Sequence, residues 1–300
     1  GYSIQTIFAY VGDETNKQPY LSSVFSTRTI RNYNQTQIEQ QVDYTLAKFN
    51  ETCPSDVAIY IHGFNKTKDD AGEEFNRIEA SFAHNNYSIP LVGFSWISNT
   101  GWNYSKEMAI KSGIELAKFI TEIEKESNCP NMNIHIIAHS LGALVVDSAL
   151  VSLNNSSNMN TKIASVHLLG AAIGNTIVGN NTPLGNAIEH IVFKFYNLYN
   201  PEDEGLKFNK IYEHHNPLGL VGAPNGTIHF NYQDINITHE IPPFSDADGD
   251  GNSEECFEEF HPAIGEGDNH CGYIGFRTPF SSSIINDGVV NVIVGHLKES

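Results

Sequence analysis

Short apolar runs and amphipathic stretches alternate along the first two thirds of the chain. Residues 4–11 and 21–29 read as opening strands, and 36–49 places Ile38, Val42, Leu46 and Phe49 at the three- and four-residue spacing of a helix. A short apolar run at 57–61 then meets His62-Gly63-Phe64. Helical sequence at about 69–84 is followed by a buried strand at 90–96. A long helix at 104–127 has Ala109, Ile114, Leu116, Ala117, Ile120 and Ile123 on its apolar side. Residues 134–138 form the next strand and 141–153 the next helix, with further strands at 163–169 and 191–198 and a last amphipathic helix at about 283–297.

Continuously apolar strands alternating with helices predict a parallel sheet covered on both faces, the α/β class. No period of 20–50 residues recurs, which excludes a solenoid or propeller. The rhythm breaks at about 205–267, a stretch rich in His, Asn, Pro and acidic residues with one strand-like segment at 227–237. We expect a single domain over 1–300, with 205–267 an insertion or flap over the site, and a surface loop around Asn180, Asn181, Pro183 and Gly185.

Composition narrows the function classes. With 40% hydrophobic and 17% charged residues the chain is a folded globular one. A net charge of −18 would repel phosphates, so nucleic acid is excluded as a partner. No apolar run approaches the roughly 18 residues of a bilayer span. Asn-x-Ser/Thr triplets are abundant, at Asn34, Asn50, Asn65, Asn86, Asn103, Asn154, Asn155, Asn180, Asn225 and Asn236, and support an exported protein.

The sharpest chemical signal is Ala138-His139-Ser140-Leu141-Gly142, where a strand turns at once into a helix. This is the setting of a nucleophile elbow, whose tight bend needs small residues two places on either side of the serine. Ala138 stands where glycine is usual. At a helix N-terminus, the serine oxygen and the Leu141 amide both face developing negative charge favourably. The competing reading is that Ser140 is an ordinary helix N-cap.

Together with His62-Gly63-Phe64-Asn65 and Phe94-Ser95-Trp96, the elbow resembles a poorly characterised esterase- or lipase-like branch of the α/β-hydrolase superfamily. The resemblance covers about 55–155 well and the C-terminal half loosely. It implies a mostly parallel, eight-stranded sheet with helices on both faces, and the chain order serine, acid, histidine. It also places a second oxyanion donor just after His62-Gly63, at Phe64 or Asn65, with Leu141 the first and His62 a support of the loop.

In the implied order, Asp203 just past the 191–198 strand is the expected acid, with Glu202 and Glu204 as competitors. Among 13 histidines, His270 in a loop before the last helix is the expected base. His261 is its rival, and His296 is read as a surface residue. Phe64, Trp96, Trp102 and Tyr104 are candidates either for an acyl pocket or for core. In this fold the strands after Cys53 and Cys129 are neighbours, which implies a Cys53–Cys129 disulfide and leaves Cys256 with Cys271. Asp246-x-Asp248-x-Asp250-Gly251-Asn252, with Glu254, resembles the opening of a calcium loop, although Phe257 occupies the usual glutamate position. A Ca²⁺ there would be structural, and catalysis would need no cofactor.

The expected function is hydrolysis of carboxylic esters, including lactones or lipid-like esters, by Ser140, His270 and Asp203 through an acyl-enzyme. An amidase or peptidase would use the same groups, and an inactive binding module could share the scaffold.

Overall fold

The structure is a computed structural model. It describes residues 53–126, 129, 131–156, 161–227, 229–241, 269–277 and 284–299, with backbone alone at 126, 276–277 and 284–286 and in two opening strands. Those strands are β1 (Ile7–Val11) and β2 (Leu21–Phe25). Next come β3 (Asp56–Ile61), α1 (Lys68–His84), β4 (Leu91–Trp96), α2 (Trp102–Glu126), β5 (Asn133–His139) and α3 (Gly142–Asn155). The chain continues through β6 (Ile163–Leu169), α4 (Pro183–Ile191), β7 (Val192–Tyr199), α5 (Glu204–Glu213), α6 (Leu218–Val221) and β8 (Tyr232–Asn236). A short 3-10 turn at Asn269–Ile274, β9 (Phe276–Arg277), β10 (Ile284–Asn286) and α7 (Val290–Lys298) close it.

The sheet order is β2-β1-β4-β3-β5-β6-β7-β8. From β4 through β8 the six strands are parallel, β1 joins β4 in parallel, and β2 pairs antiparallel with β1. Alternation along β3 shows how the layers form. Val57, Ile59 and Ile61 point into a core with α2, α3 and α4, while Ala58 and Tyr60 point into a second core with α1 and α7. A strand apolar on both faces therefore needs helices on both sides, which is why it lacks the polar alternation of a half-exposed strand.

Two glycines set the layer spacing. A Cβ on Gly93 would lie 2.3 Å from the Phe75 ring, so α1 seats on the sheet only over a bare backbone. A Cβ on Gly113 would lie 2.5 Å from Ser148 Cβ, which brings α2 and α3 close enough for Ser148 Oγ to donate to the Ile110 carbonyl at 2.7 Å. Helix α1 starts with a capping box: the Thr67 hydroxyl accepts from the Asp70 amide, and the Asp70 carboxylate accepts from the Thr67 amide.

Cys53 and Cys129 form a disulfide with Cα atoms 5.1 Å apart. They precede the paired residues Asp56 and Asn133, so the bond staples the N-terminal ends of β3 and β5. Cys271 is also disulfide-bonded, and Cys256 lies outside the described residues.

Several expectations are corrected. Residues 205–241 are not all insertion. They build α5, α6 and β8, and β8 pairs with β7. The strand there spans 232–236, and 242–267 lies outside the described residues, as does the helix expected at 36–49. The last helix begins at Val290, because 284–286 pairs with β9. Ile114 is exposed, and Met108 and Phe119 complete the buried side of α2. His296 is half-buried: it stacks on Tyr196 with ring centroids 3.9 Å apart, and its Nδ1 lies 3.2 Å from His167 Nε2.

Candidate active site

Strand β5 delivers Ser140 to the C-terminal edge of the sheet, and the chain reverses there into α3. Ser140 has φ 54°, a left-handed conformation rare outside glycine. Backbone bonds hold it: its amide donates to the Leu169 carbonyl, and its carbonyl accepts from Ala143 and Ala172. The bend also requires empty space. A Cβ on Gly63 would lie 2.9 Å from Ser140 Cβ, and one on Gly142 would lie 2.7 Å from the His62 carbonyl. Ala138 fits its position with no exposed surface. Ser140 is not a helix cap; Leu141 precedes α3 and makes no side-chain capping bond.

Ser140 Oγ lies 2.8 Å from His270 Nε2, and His270 Nδ1 lies 2.7 Å from Asp203 Oδ2. The carboxylate only accepts, so Nδ1 carries the ring proton and the Nε2 lone pair faces the serine hydroxyl. Asp203 is buried at the head of α5, where its Oδ1 accepts from the Leu206 amide at 2.8 Å. The competing acids are elsewhere. Glu202 pairs with Lys207 in solvent, and Glu204 contributes its amide to Asn269 Oδ1. His261 and the calcium-loop residues Asp246, Asp248, Asp250, Asn252 and Glu254 lie outside the described residues.

Three contacts that the sequence reading missed fix the imidazole and its acid. The Tyr273 hydroxyl donates to Asp203 Oδ2 at 2.9 Å, and His139 Nε2 donates to the His270 carbonyl at 2.8 Å. Gly205 leaves room for the ring, since a Cβ there would lie 3.0 Å from His270 Cβ and Cγ. Asn269 adds a tie between the two loops, donating to the Glu202 carbonyl at 3.2 Å. From beneath, α1 holds the same turn: Ser81 Oγ donates to the Ile274 carbonyl at 2.9 Å, and Arg77 reaches the Gly275 carbonyl.

Burial governs the titratable groups under the elbow. It pulls the His62 pKa down to about 4 and that of His139 to about 3, where the neighbouring His270 adds to the effect. Both rings are therefore neutral near pH 7. His62 Nδ1 donates to the Gly63 carbonyl and its Nε2 accepts from the Trp96 amide, so this ring braces the loop and does not reach Ser140. Burial alone would raise the Glu74 pKa. The Lys66 and Arg77 cations outweigh it and hold the carboxyl well below its ordinary value. Glu74 anchors Lys66, at 3.1 Å, and with it the loop after Gly63.

Of the two amides considered after Gly63, that of Asn65 donates to the Ser98 carbonyl at 2.9 Å. The aromatic candidates divide. Trp96 is buried core, stacked on His62, with its Nε1 donating to the His62 carbonyl. Phe64 meets Trp102 edge-on with centroids 4.9 Å apart, and Trp102 packs on Ala172, Leu206 and Leu220. Tyr104 packs half-buried against the core.

The model of a family described as "Alpha/beta hydrolase of unknown function (DUF900)" matches residues 35–219, more than half of the chain. That span contains Phe64, Ser140, Leu141 and Asp203 and ends before His270. No curated protein matches the chain. Among the described residues, no helix is long and apolar enough to cross a membrane.

Proposed function

The chain belongs to this family of α/β hydrolases of unknown function, and from that premise we propose that it is a serine hydrolase of carboxylic esters. The observation that carries the reading is the relay Ser140 Oγ–His270 Nε2, 2.8 Å, and His270 Nδ1–Asp203 Oδ2, 2.7 Å. A serine hydroxyl is a weak nucleophile until a base takes its proton, and these distances suit that transfer.

In this reading Ser140 Oγ attacks the ester carbonyl carbon as its proton passes to His270 Nε2. Asp203 holds the imidazole orientation and stabilises the imidazolium that forms. The amides of Leu141 and Phe64 receive the negative oxygen of the tetrahedral intermediate. Collapse breaks the bond to the alkoxy oxygen, which leaves as an alcohol with the proton from His270. Water, deprotonated by the same nitrogen, then hydrolyses the acyl-enzyme and restores Ser140. Side chains and backbone amides supply every group used. Phe64 and Trp102, both partly exposed, offer apolar surface for the acyl chain, which favours esters, lactones included, with a hydrocarbon portion. The Cys53–Cys129 bond is compatible with an extracytoplasmic location, and we place the protein there.

A fluorophosphonate probe tests the reading. It is expected to add one phosphonyl group at Ser140, located by peptide mass, and none to Ser140→Ala. Folded protein that stays unmodified overturns it. A series of p-nitrophenyl esters of graded chain length then reads the acyl preference.

A further inference from the structure

The Asp203 carboxylate accepts three hydrogen bonds, and only one of them comes from the imidazole. Its Oδ1 takes the Leu206 amide, and its Oδ2 takes both His270 Nδ1 and the Tyr273 hydroxyl. Tyr273 has no exposed surface, and its place is built for it. Gly170 stands against the ring with φ 54°, and a Cβ there would lie 2.7–2.9 Å from the phenol end. The Tyr273 carbonyl accepts from the Val289 amide at 2.9 Å. Gly288, with φ 58°, leaves 2.4 Å between a notional Cβ and that carbonyl oxygen, so the backbone too is enclosed. The hydroxyl thus reaches the oxygen that holds the imidazole, from a ring that cannot turn away.

We infer that Tyr273 is a positioning residue that sets the basicity of Asp203 and, through it, of His270. The inference rests on the reading of Ser140, His270 and Asp203 as the reacting relay. A hydrogen bond donated to an ionised carboxylate withdraws electron density from it. Asp203 then stabilises the imidazolium less, and His270 stays unprotonated to lower pH. Among the described residues, these charged and titratable groups stand around His270. Asp203 faces it from the head of α5, with Glu202 and Glu204 on either side in sequence, and Tyr273 from its own turn. His139 faces it from the end of β5, where burial keeps that ring neutral.

The test compares the pH dependence of kcat/KM in wild type and Tyr273→Phe. The acid limb is expected to rise by roughly half a unit to one unit, since a bond to a charged group is worth more than one between neutral groups. The His270 Nδ1 proton resonance is expected to move with it. Site-specific replacement of Tyr273 by a fluorinated tyrosine keeps the shape, strengthens the donor and should move the limb down; it serves also if the Phe variant does not fold. A Phe variant that is slower at every pH, with limb and resonance unmoved, overturns the inference and leaves the relay intact. Wild-type protein that neither turns over esters nor labels at Ser140 overturns the relay itself, and that is read before any variant is made.

Discussion

The serine and the histidine meet at 2.8 Å, yet they are held in contrasting ways. Ser140 rides on a continuous piece of core: strand β5, one bend and helix α3, with both partners of the bend, Gly63 and Gly142, in tight backbone contact. His270 rides on a six-residue 3-10 turn with little regular structure of its own, gripped from α1, from the end of β5 and from the head of α5. One site is rigid because of what the chain does locally. The other is rigid because distant parts of the chain converge on it.

If the two regions form one device, removing either half should cost as much as removing both. Ser140→Ala and His270→Ala are each expected to lower kcat by about a millionfold, and the double variant no further, as groups acting as a unit behave. Additive losses, measured on an activated ester, would separate the halves.

The disulfide sharpens the contrast in stability. Cys53→Ser with Cys129→Ser opens a loop with sequence separation 76 and is expected to cost about 4 kcal/mol in denaturant unfolding. Since the staple joins the ends of β3 and β5 away from the site, kcat per folded molecule should hold.

Acid probes the region under the elbow. In the unfolded chain His62 and His139 take up protons below about 6.5. In the folded protein burial delays this to about 4 and about 3. Between those values protons favour the unfolded state, so stability is complete above pH 6.5 and falls as the pH drops. His62 alone contributes a loss on the order of 3 kcal/mol by pH 4. His62→Gln should flatten the slope of unfolding free energy against pH over that window.

The smallest effect separates the two scaffolds most cleanly. Ser81→Ala leaves the Ile274 carbonyl without its donor, at a cost of about 1 kcal/mol. The loss should reach kcat, because that carbonyl belongs to the turn carrying His270. Ser148→Ala removes a similar bond to the Ile110 carbonyl behind the elbow helix and should lower the melting temperature alone.

The same contrast explains what could be read from the sequence. Strands β3 to β6 and the elbow announce themselves because burial on two faces and a tight bend impose residue types within a few positions. Asp203 and His270 came from the order implied by a family resemblance, not from local pattern. Tyr273, Gly205, Ser81 and the His139 contact were illegible, since each gains its role from a residue between 65 and 193 positions away. Strand β8 was legible as a strand-like segment at 227–237 but not as part of the sheet, because an edge strand with one neighbour need not be an apolar run and sat in a polar stretch read as an insertion. His296 was assigned to solvent from helical periodicity, which cannot see that Tyr196 and His167 on the sheet supply a stacking surface.

Ser140 sits in a conformation that an L-amino acid occupies only at a loss, on the order of 1–2 kcal/mol. Glycine at 140 would relieve that tension while giving back part of the gain through its looser unfolded state. A chain that had merely to stay folded would be more comfortable without a side chain at this corner. The inert glycine variant should therefore melt no lower than the parent, and the parent stays slightly wound up for as long as it carries its hydroxyl.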